Sequence, residues 1–320
     1  MAKLYYRFIA VLMRYNPGLT RKLVHTGFKW VSALRAIQHW IGGYQRNSEQ
    51  TTEVMGLCFA SPAGIAAGFD RHGQIGRKLG HLGFGHIEIG TLTRHAEPGH
   101  NWGITTLKSL VEEPRHQQTA QLGINIGINR NTPPDKAAND LRFCLARAWP
   151  LADYIAINLC NPAAAPLLAC HNRQLLQALL VVLKEGQQML SDQTGRFVPL
   201  AVKIELDINN PQQPAVIERL RQLKFEAIIA TIDAGKPATP AKVARWQNRV
   251  QQQQACEQIR RLHTALRGEL PIIAVGGISS AEDVESRLAA GAALVQIHNG
   301  LLYQGPSLLR HLHGSWQSGR

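Results

Sequence analysis

Two groups of residues in this sequence have the types and spacing to do chemistry. The first follows an apolar run, Tyr154-Ile-Ala-Ile-Asn158, and continues as Leu159-Cys160-Asn161-Pro162. The run is apolar at both parities, which predicts a strand covered on both faces, and Pro162 must end its ladder because it has no N–H. Asn158, Cys160 and Asn161 then project from a strand end, where amides can orient a ligand. The second group is rich in glycine. Gly276-Gly277-Ile278-Ser279-Ser280 and His298-Asn299-Gly300 each free backbone N–H groups ahead of a predicted helix, an arrangement suited to phosphate.

These groups need a scaffold, and its rhythm is legible from residue 56 onward. Eight short apolar runs recur, over residues 62–69, 86–93, 122–128, 154–159, 198–204, 227–231, 271–275 and 294–297. Between them lie segments with helical periodicity, among them 172–189, 214–223, 256–267 and 281–290. Strand alternating with helix over about 250 residues predicts an α/β fold closed as a (β/α)8 TIM barrel. An open doubly wound sheet is the other solution, but it lacks the Gly-x-Gly-x-x-Gly turn that would favour it. Barrel chemistry sits where the strands end, and there the sequence places Ala67 to Arg71, Thr91, Asn125, Asn158, Lys203, Thr231 with Asp233, Gly276 and Gly277, and His298 with Asn299. Singly these would be satisfied loop amides or solvated charges. As a ring they suggest a binding site.

Composition removes several function classes. Five cysteines without paired or ligand-like spacing predict reduced thiols and no metal centre. The net charge of +13 raises the question of a polyanionic partner, but much of it lies in residues 1–48, which hold no acidic residue. There Lys3, Arg7, Arg14, Arg21, Lys22, Lys29, Arg35 and Arg46 alternate with aromatic and aliphatic residues in two predicted amphipathic helices broken at Asn16-Pro17-Gly18. Thr20 is the expected N-cap of the second helix, Gly42-Gly43 its end, and Leu19, Leu23, Gly27, Trp30, Leu34, Ile37 and Ile41 one apolar face. No run is long enough to cross a bilayer, whereas a basic helix bearing tryptophan suits the headgroup region of an anionic membrane. Residues 1–45 are therefore expected to be a membrane-association segment, and 46–320 the barrel. No nucleic-acid partner is expected, for want of a recognition module or stacking platform.

From Met55 to about Pro306 the chain resembles class 2 dihydroorotate dehydrogenases, the membrane-associated, quinone-reducing flavoenzymes. The resemblance is carried by Ser61-Pro-Ala-Gly-Ile-Ala-Ala-Gly-Phe-Asp70, Gly83-Phe-Gly-His-Ile-Glu-Ile-Gly-Thr91, Leu122-Gly-Ile-Asn-Ile-Gly-Ile-Asn129, Tyr154-Ile-Ala-Ile-Asn158, Ala201-Val-Lys203, Ile229-Ala-Thr231, Pro271-Ile-Ile-Ala-Val-Gly-Gly-Ile278 and Gly291-Ala-Ala-Leu-Val-Gln-Ile297. It implies FMN as cofactor, held by Ala67, Gly68, Thr91, Asn125, Asn158, Lys203, Thr231, Gly276, Gly277, His298 and Asn299, with Lys203 beside the isoalloxazine ring. It also implies quinone as a partner reached through residues 1–45, and a peripheral location on the cytoplasmic face of the inner membrane.

The same resemblance marks departures. Asn161 stands where the family has a serine general base, and an amide takes no proton near neutrality, which removes a contribution typically worth about 10²- to 10⁴-fold. Cys160 and Asp233 are the remaining candidates for the catalytic group. Alternation along a strand turns Cys160 toward the core, and Asp233 either pairs with Arg71 or caps a turn. Arg71 replaces a substrate-contacting lysine, so Arg71, Asn161 and Asp233 form the substrate side, and a Lys-, Arg- and Gln-rich stretch at 236–254 replaces a glycine-rich segment. The expectation is an FMN flavoprotein at a membrane, with quinone as acceptor and a donor other than dihydroorotate. The alternatives are a catalytically silent membrane-surface scaffold and a true dihydroorotate dehydrogenase.

Overall fold

A computed structural model describes residues 2–33, 51–109, 120–210, 214–232 and 248–305, together with 212, 246, 308 and 312. Eight parallel strands close a barrel: β3 (Ala63–Ile65), β4 (His86–Leu92), β5 (Gln121–Ile126), β6 (Tyr154–Asn158), β7 (Leu200–Glu205), β8 (Ala227–Thr231), β9 (Ile272–Val275) and β10 (Leu294–Ile297), with β10 pairing back onto β3. Each coincides with one of the apolar runs in the sequence. The antiparallel hairpin β1 (Thr52–Val54) and β2 (Leu57–Phe59) covers the end where the strands begin, sending Val54 and Phe59 into the barrel interior.

Helices pack outside the sheet, and alternation divides the apolar residues into two cores. Outward-facing residues such as Ile65, Ile87, Ile89, Leu122, Ile155 and Val202 meet the helices, whereas Tyr154, Ala156, Ala201, Ala227, Ile229, Ile273 and Leu294 fill the barrel itself. The interior contains large side chains because glycines on adjacent strands make room. A Cβ on Gly64 would lie 2.4 Å from the His86 ring, and one on Gly123 would lie 2.2 Å from the Tyr154 ring.

The helical pair at the N-terminus is present as α1 (Ala2–Tyr15) and α2 (Pro17–Ala33). Thr20 is not the N-cap. Asn16 is, accepting the Leu19 N–H at 3.0 Å, because Pro17 occupies the first helical position and leaves Thr20 a full turn inside. The pair rests on the barrel through Ile9, Met13, Val24 and Phe28, and Phe28 meets Phe69 edge-on at 5.3 Å. His25 Nε2 stands 3.2 Å from Asp70 Oδ1. The face predicted from Leu19, Leu23, Gly27 and Trp30 points the other way, into solvent, with Trp30 66% exposed. The expected helix end at Gly42-Gly43, the junction near residue 45, and Leu34, Ile37 and Ile41 lie outside the described residues.

The long helix before β9 begins earlier than its periodicity suggested, at Arg249 rather than Cys256, and runs to Leu266. Asn248 caps it by accepting the Val250 N–H at 2.9 Å, and the glutamines that follow are good helix formers even though they show no apolar stripe. That places the end of the basic stretch 236–254 on a helix, with residues 233–245 outside the described residues.

Candidate active site

The strands end at one cavity of about 480 Å³, within the usual range for a small-molecule site. Ala67, Gly68, Thr91, Asn158, Lys203, Thr231, Gly276, Gly277, His298 and Asn299 line it, and Arg71, Cys160 and Asn161 join them. Residues from seven of the eight strand ends thus line one cavity. Asn125 is different. It is fully buried just below the cavity wall, where its Nδ2 donates to Glu88 Oε1 at 2.8 Å and its Oδ1 has no partner. Asp233 lies outside the described residues.

Beneath the cavity lies a buried charge cluster that the apolar pattern conceals. Glu88, on β4, is fully buried on the barrel axis. It accepts from Asn125 and, through Oε2, from Gln296 Nε2 at 2.8 Å and Tyr154 OH at 3.4 Å, while Lys203 Nζ stands 3.5 Å from its Oε1. A buried carboxylate persists when it is paired and hydrogen-bonded, and all four partners come from other strands. The signal was available in the sequence: one acid in the middle of the otherwise apolar run His86-Ile-Glu-Ile89. Lys203 is therefore a fixed cation whose charge is balanced from below.

At the end of β6, Asn158 is held from both sides of its amide. Its Nδ2 donates to Thr91 Oγ1 at 2.8 Å and its Oδ1 accepts the Cys160 N–H at 2.9 Å. Parity corrects the expectation for Cys160. Cys160 shares the parity of Tyr154, Ala156 and Asn158 and so faces the cavity with Asn158, while Asn161 reaches the same cavity because the chain has by then left the strand for a 3-10 turn. Although its surface opens on the cavity, protein encloses it deeply enough that desolvation pushes the thiol up to about 12. It is a protonated thiol near neutrality. Asn161 is occupied structurally: its Oδ1 accepts the Ala164 N–H at 2.9 Å, capping a short 3-10 turn, and its Nδ2 donates to Ile128 O at 3.2 Å.

The opposite wall is formed by the glycine-rich turns. Gly276 and Gly277 both adopt positive φ, 113° and 68°, a backbone that side chains disfavour. Trp246 lies flat over Gly277, so close that a Cβ there would be 2.3 Å from its ring, and Gln252 Nε2 ties the Trp246 and Gly277 carbonyls together at 2.7 and 2.6 Å. His298 packs over Gly68 and donates from Nδ1 to Asn299 Oδ1 at 2.8 Å. Burial lowers it to about 4, so it is a neutral imidazole at pH 7.

The remaining wall comes from the helical pair. Arg21 of α2 reaches the cavity alongside Arg71. Its Nε is buried without a hydrogen-bond partner. The position was read in the sequence only as part of a basic face. Among the described residues no group of three or more His, Cys, Asp or Glu side chains is placed to hold a metal.

A parallel (β/α)8 barrel with amides, a buried lysine and glycine turns around a cavity at its strand ends is the architecture of a small-molecule or cofactor enzyme. The family model for dihydroorotate dehydrogenase matches residues 100–317. A dihydroorotate dehydrogenase (quinone) of Burkholderia lata is 38% identical over 284 residues, covering 80% of this chain and 81% of that one. One from Herminiimonas arsenicoxydans is 36% identical over 308 residues, covering 85% and 86%. The chain belongs to the dihydroorotate dehydrogenase family. Its fold is also that of the ligand-free DHODH of Eimeria tenella, with a TM-score of 0.72 over 95% of this chain and 96% of that one at 22% identity. The same protein in complex with ferulenol gives a TM-score of 0.71 over 92% of this chain and 90% of that one, also at 22% identity.

Proposed function

We propose that this chain is an FMN-dependent oxidoreductase that takes electrons from an anionic organic donor and delivers them to a quinone at a membrane surface. The observation that carries the reading is the convergence of Ala67, Gly68, Thr91, Asn158, Lys203, Thr231, Gly276 and Gly277 on one cavity in a chain of this family. The residues present fit a flavin. Thr231 is buried at the cavity edge with its hydroxyl beside Cys160, placed to meet a polar edge of the ring, and Lys203 offers a desolvated cation to a ring that gains negative charge on reduction. Gly276, Gly277, His298 and Asn299 offer backbone and side-chain donors for the phosphate. When bound, FMN supplies the hydride-accepting and electron-relaying chemistry.

The helical pair supports the membrane half of the proposal. Leu4, Phe8, Val11, Tyr15, Leu19, Leu23 and Trp30 are all exposed although the pair is docked, and Arg7, Arg14, Lys22 and Lys29 are exposed with them. An exposed apolar face set among cations is what a helix lying in an anionic headgroup layer needs. Among the described residues no helix is long and apolar enough to cross a membrane. Residues 1–45 as the association segment, and the cytoplasmic face of the inner membrane as its location, follow from this reading.

Dihydroorotate is the donor named for the relatives, and Arg71, which has no ion pair among the described residues, suits a carboxylate. One observation favours a second donor. Proton removal at Asn161 is closed, because both ends of the amide serve the backbone, and Cys160 is a protonated thiol. The deciding experiment is the visible spectrum of the detergent-solubilised protein, with mass identification of any released chromophore, followed by quinone reduction with dihydroorotate. Bound FMN with turnover establishes the first donor, and bound FMN without it excludes dihydroorotate and leaves a different donor or a catalytically silent flavoprotein. A folded, colourless protein removes the flavin proposal and leaves a membrane-surface scaffold.

A further inference from the structure

One buried charge lies under the cavity rather than in it. Glu205, Glu97, Arg21, Arg71 and Arg130 enter from the walls and rim. Glu88 does not reach the cavity surface and is 0% exposed, so neither solvent nor salt screens it. Among the described residues the cation paired with it is Lys203, 3.5 Å away, and Lys203 itself lines the cavity. The remaining bonds keep the carboxylate in place. Asn125 Nδ2 donates to Oε1 at 2.8 Å, Gln296 Nε2 to Oε2 at 2.8 Å and the Tyr154 hydroxyl to Oε2 at 3.4 Å. Asn125, Tyr154, Lys203 and Gln296 come from β5, β6, β7 and β10, so four strands fix one acid on the barrel axis.

A flavin held over this floor gains negative charge on reduction. Lys203 favours that change and Glu88, behind it, opposes it, so the floor presents a dipole with its positive end outward in place of a full cation. The balance matters for a carrier that must give its electrons up again. An uncompensated cation in a low-dielectric floor would retain them, whereas a compensated one lets them pass to the quinone. We infer that Glu88 is a positioning residue that lowers the reduction potential of the bound flavin, by holding Lys203 in a charge-neutral pair on the cavity floor. The inference rests on the flavin reading above and deepens it. It assigns control over how readily electrons leave to a residue walled off from the cavity.

The test is the midpoint potential of the flavin in the full-length, detergent-solubilised protein at pH 7, measured by equilibration with a redox dye during slow reduction. Glu88→Gln keeps the shape of the side chain and removes its charge. The reduced state should gain at least about tenfold over the oxidised one, an upward shift of about 30 mV for a two-electron couple. Reoxidation by a short-chain quinone analogue should slow in the same variant. Tyr154→Phe removes a hydrogen bond to the same carboxylate and leaves both charges, so its potential should stay near that of wild type. Glu88→Asp, which draws the carboxylate back from Lys203 by one methylene, should give a smaller rise and serves if the glutamine variant does not fold. An unchanged or lowered potential in the Glu88 variants that fold would overturn the inference, as would an equal rise in Tyr154→Phe, which would make the effect one of packing. Protein without bound flavin defeats the flavin reading and this inference with it, whereas bound flavin at an unmoved potential defeats this inference alone.

Discussion

The floor and the helix-facing wall of this cavity treat charge in opposite ways. On the floor, Lys203 and Glu88 are both buried and face each other, with Asn125, Gln296 and Tyr154 bonded to the same carboxylate. On the wall, Arg21 and Arg71 stand together and form no ion pair among the described residues. A balanced pair belongs to the permanent structure, and removing one member leaves an uncompensated buried ion. One barrel end thus holds a charge pair closed within the fold and two arginines that are not paired among the described residues.

Removing the carboxylate breaks the floor and should give the largest effect. Glu88→Leu leaves Lys203 unpaired in the barrel, and stability should fall by about 3–5 kcal/mol in urea or thermal unfolding. Acid breaks the floor by another route. His86 is fully buried beside Phe59, neither ring nitrogen has a partner, and burial lowers it to about 3. Because its folded value lies below its unfolded value, folding favours the neutral ring. Its stabilising contribution is complete above about pH 6.5 and is lost as pH falls from there toward 3, by about 1.4 kcal/mol per pH unit for this one group. His86→Phe should flatten that part of the stability profile measured between pH 7 and 4.

The wall should respond weakly to the corresponding substitution. Arg21→Gln or Arg71→Gln in ligand-free protein removes a like-charge repulsion, so stability should change by no more than about 1 kcal/mol and in the favourable direction. A large loss in either variant would mean that the arginine has a structural partner and would erase the contrast. The smallest effect concerns the neighbouring thiol. At pH 7 iodoacetamide should label the exposed Cys58 and Cys170 well before Cys160, whose rate should rise only at strongly alkaline pH, as followed by peptide mass mapping. Rapid labelling of Cys160 at neutral pH would restore it as a candidate proton acceptor.

Local patterning made much of this legible. All eight barrel strands were visible as apolar runs, because a strand covered on both faces must be apolar at both parities, and the rim residues could be read from where each run turned polar. The break between α1 and α2 was visible for the same kind of reason, since Asn-Pro-Gly interrupts a helix whatever surrounds it. Local pattern misleads where a neighbour from elsewhere in the chain decides the outcome. Alternation counted back from Asn161 turns Cys160 to the core, whereas Cys160 shares the parity of Asn158, which faces the cavity. The exposed face of α2 and its buried face are both apolar, and only the position of the barrel distinguishes them.

The sequence by itself determined the class of fold, the ring of strand-end residues, the basic helical pair and the likeness to a flavoenzyme family, because each depends on residue type and short-range spacing. Only the tertiary structure decided which charges are paired. Glu88 and Lys203 are 115 residues apart, Glu88 and Gln296 208 apart, and Arg21 and Arg71 50 apart. Closing the barrel brings the first three together on its axis, and docking the helical pair brings the last two to one wall. Electrostatic balance is a property of distances through space, and no spacing along the chain encodes it.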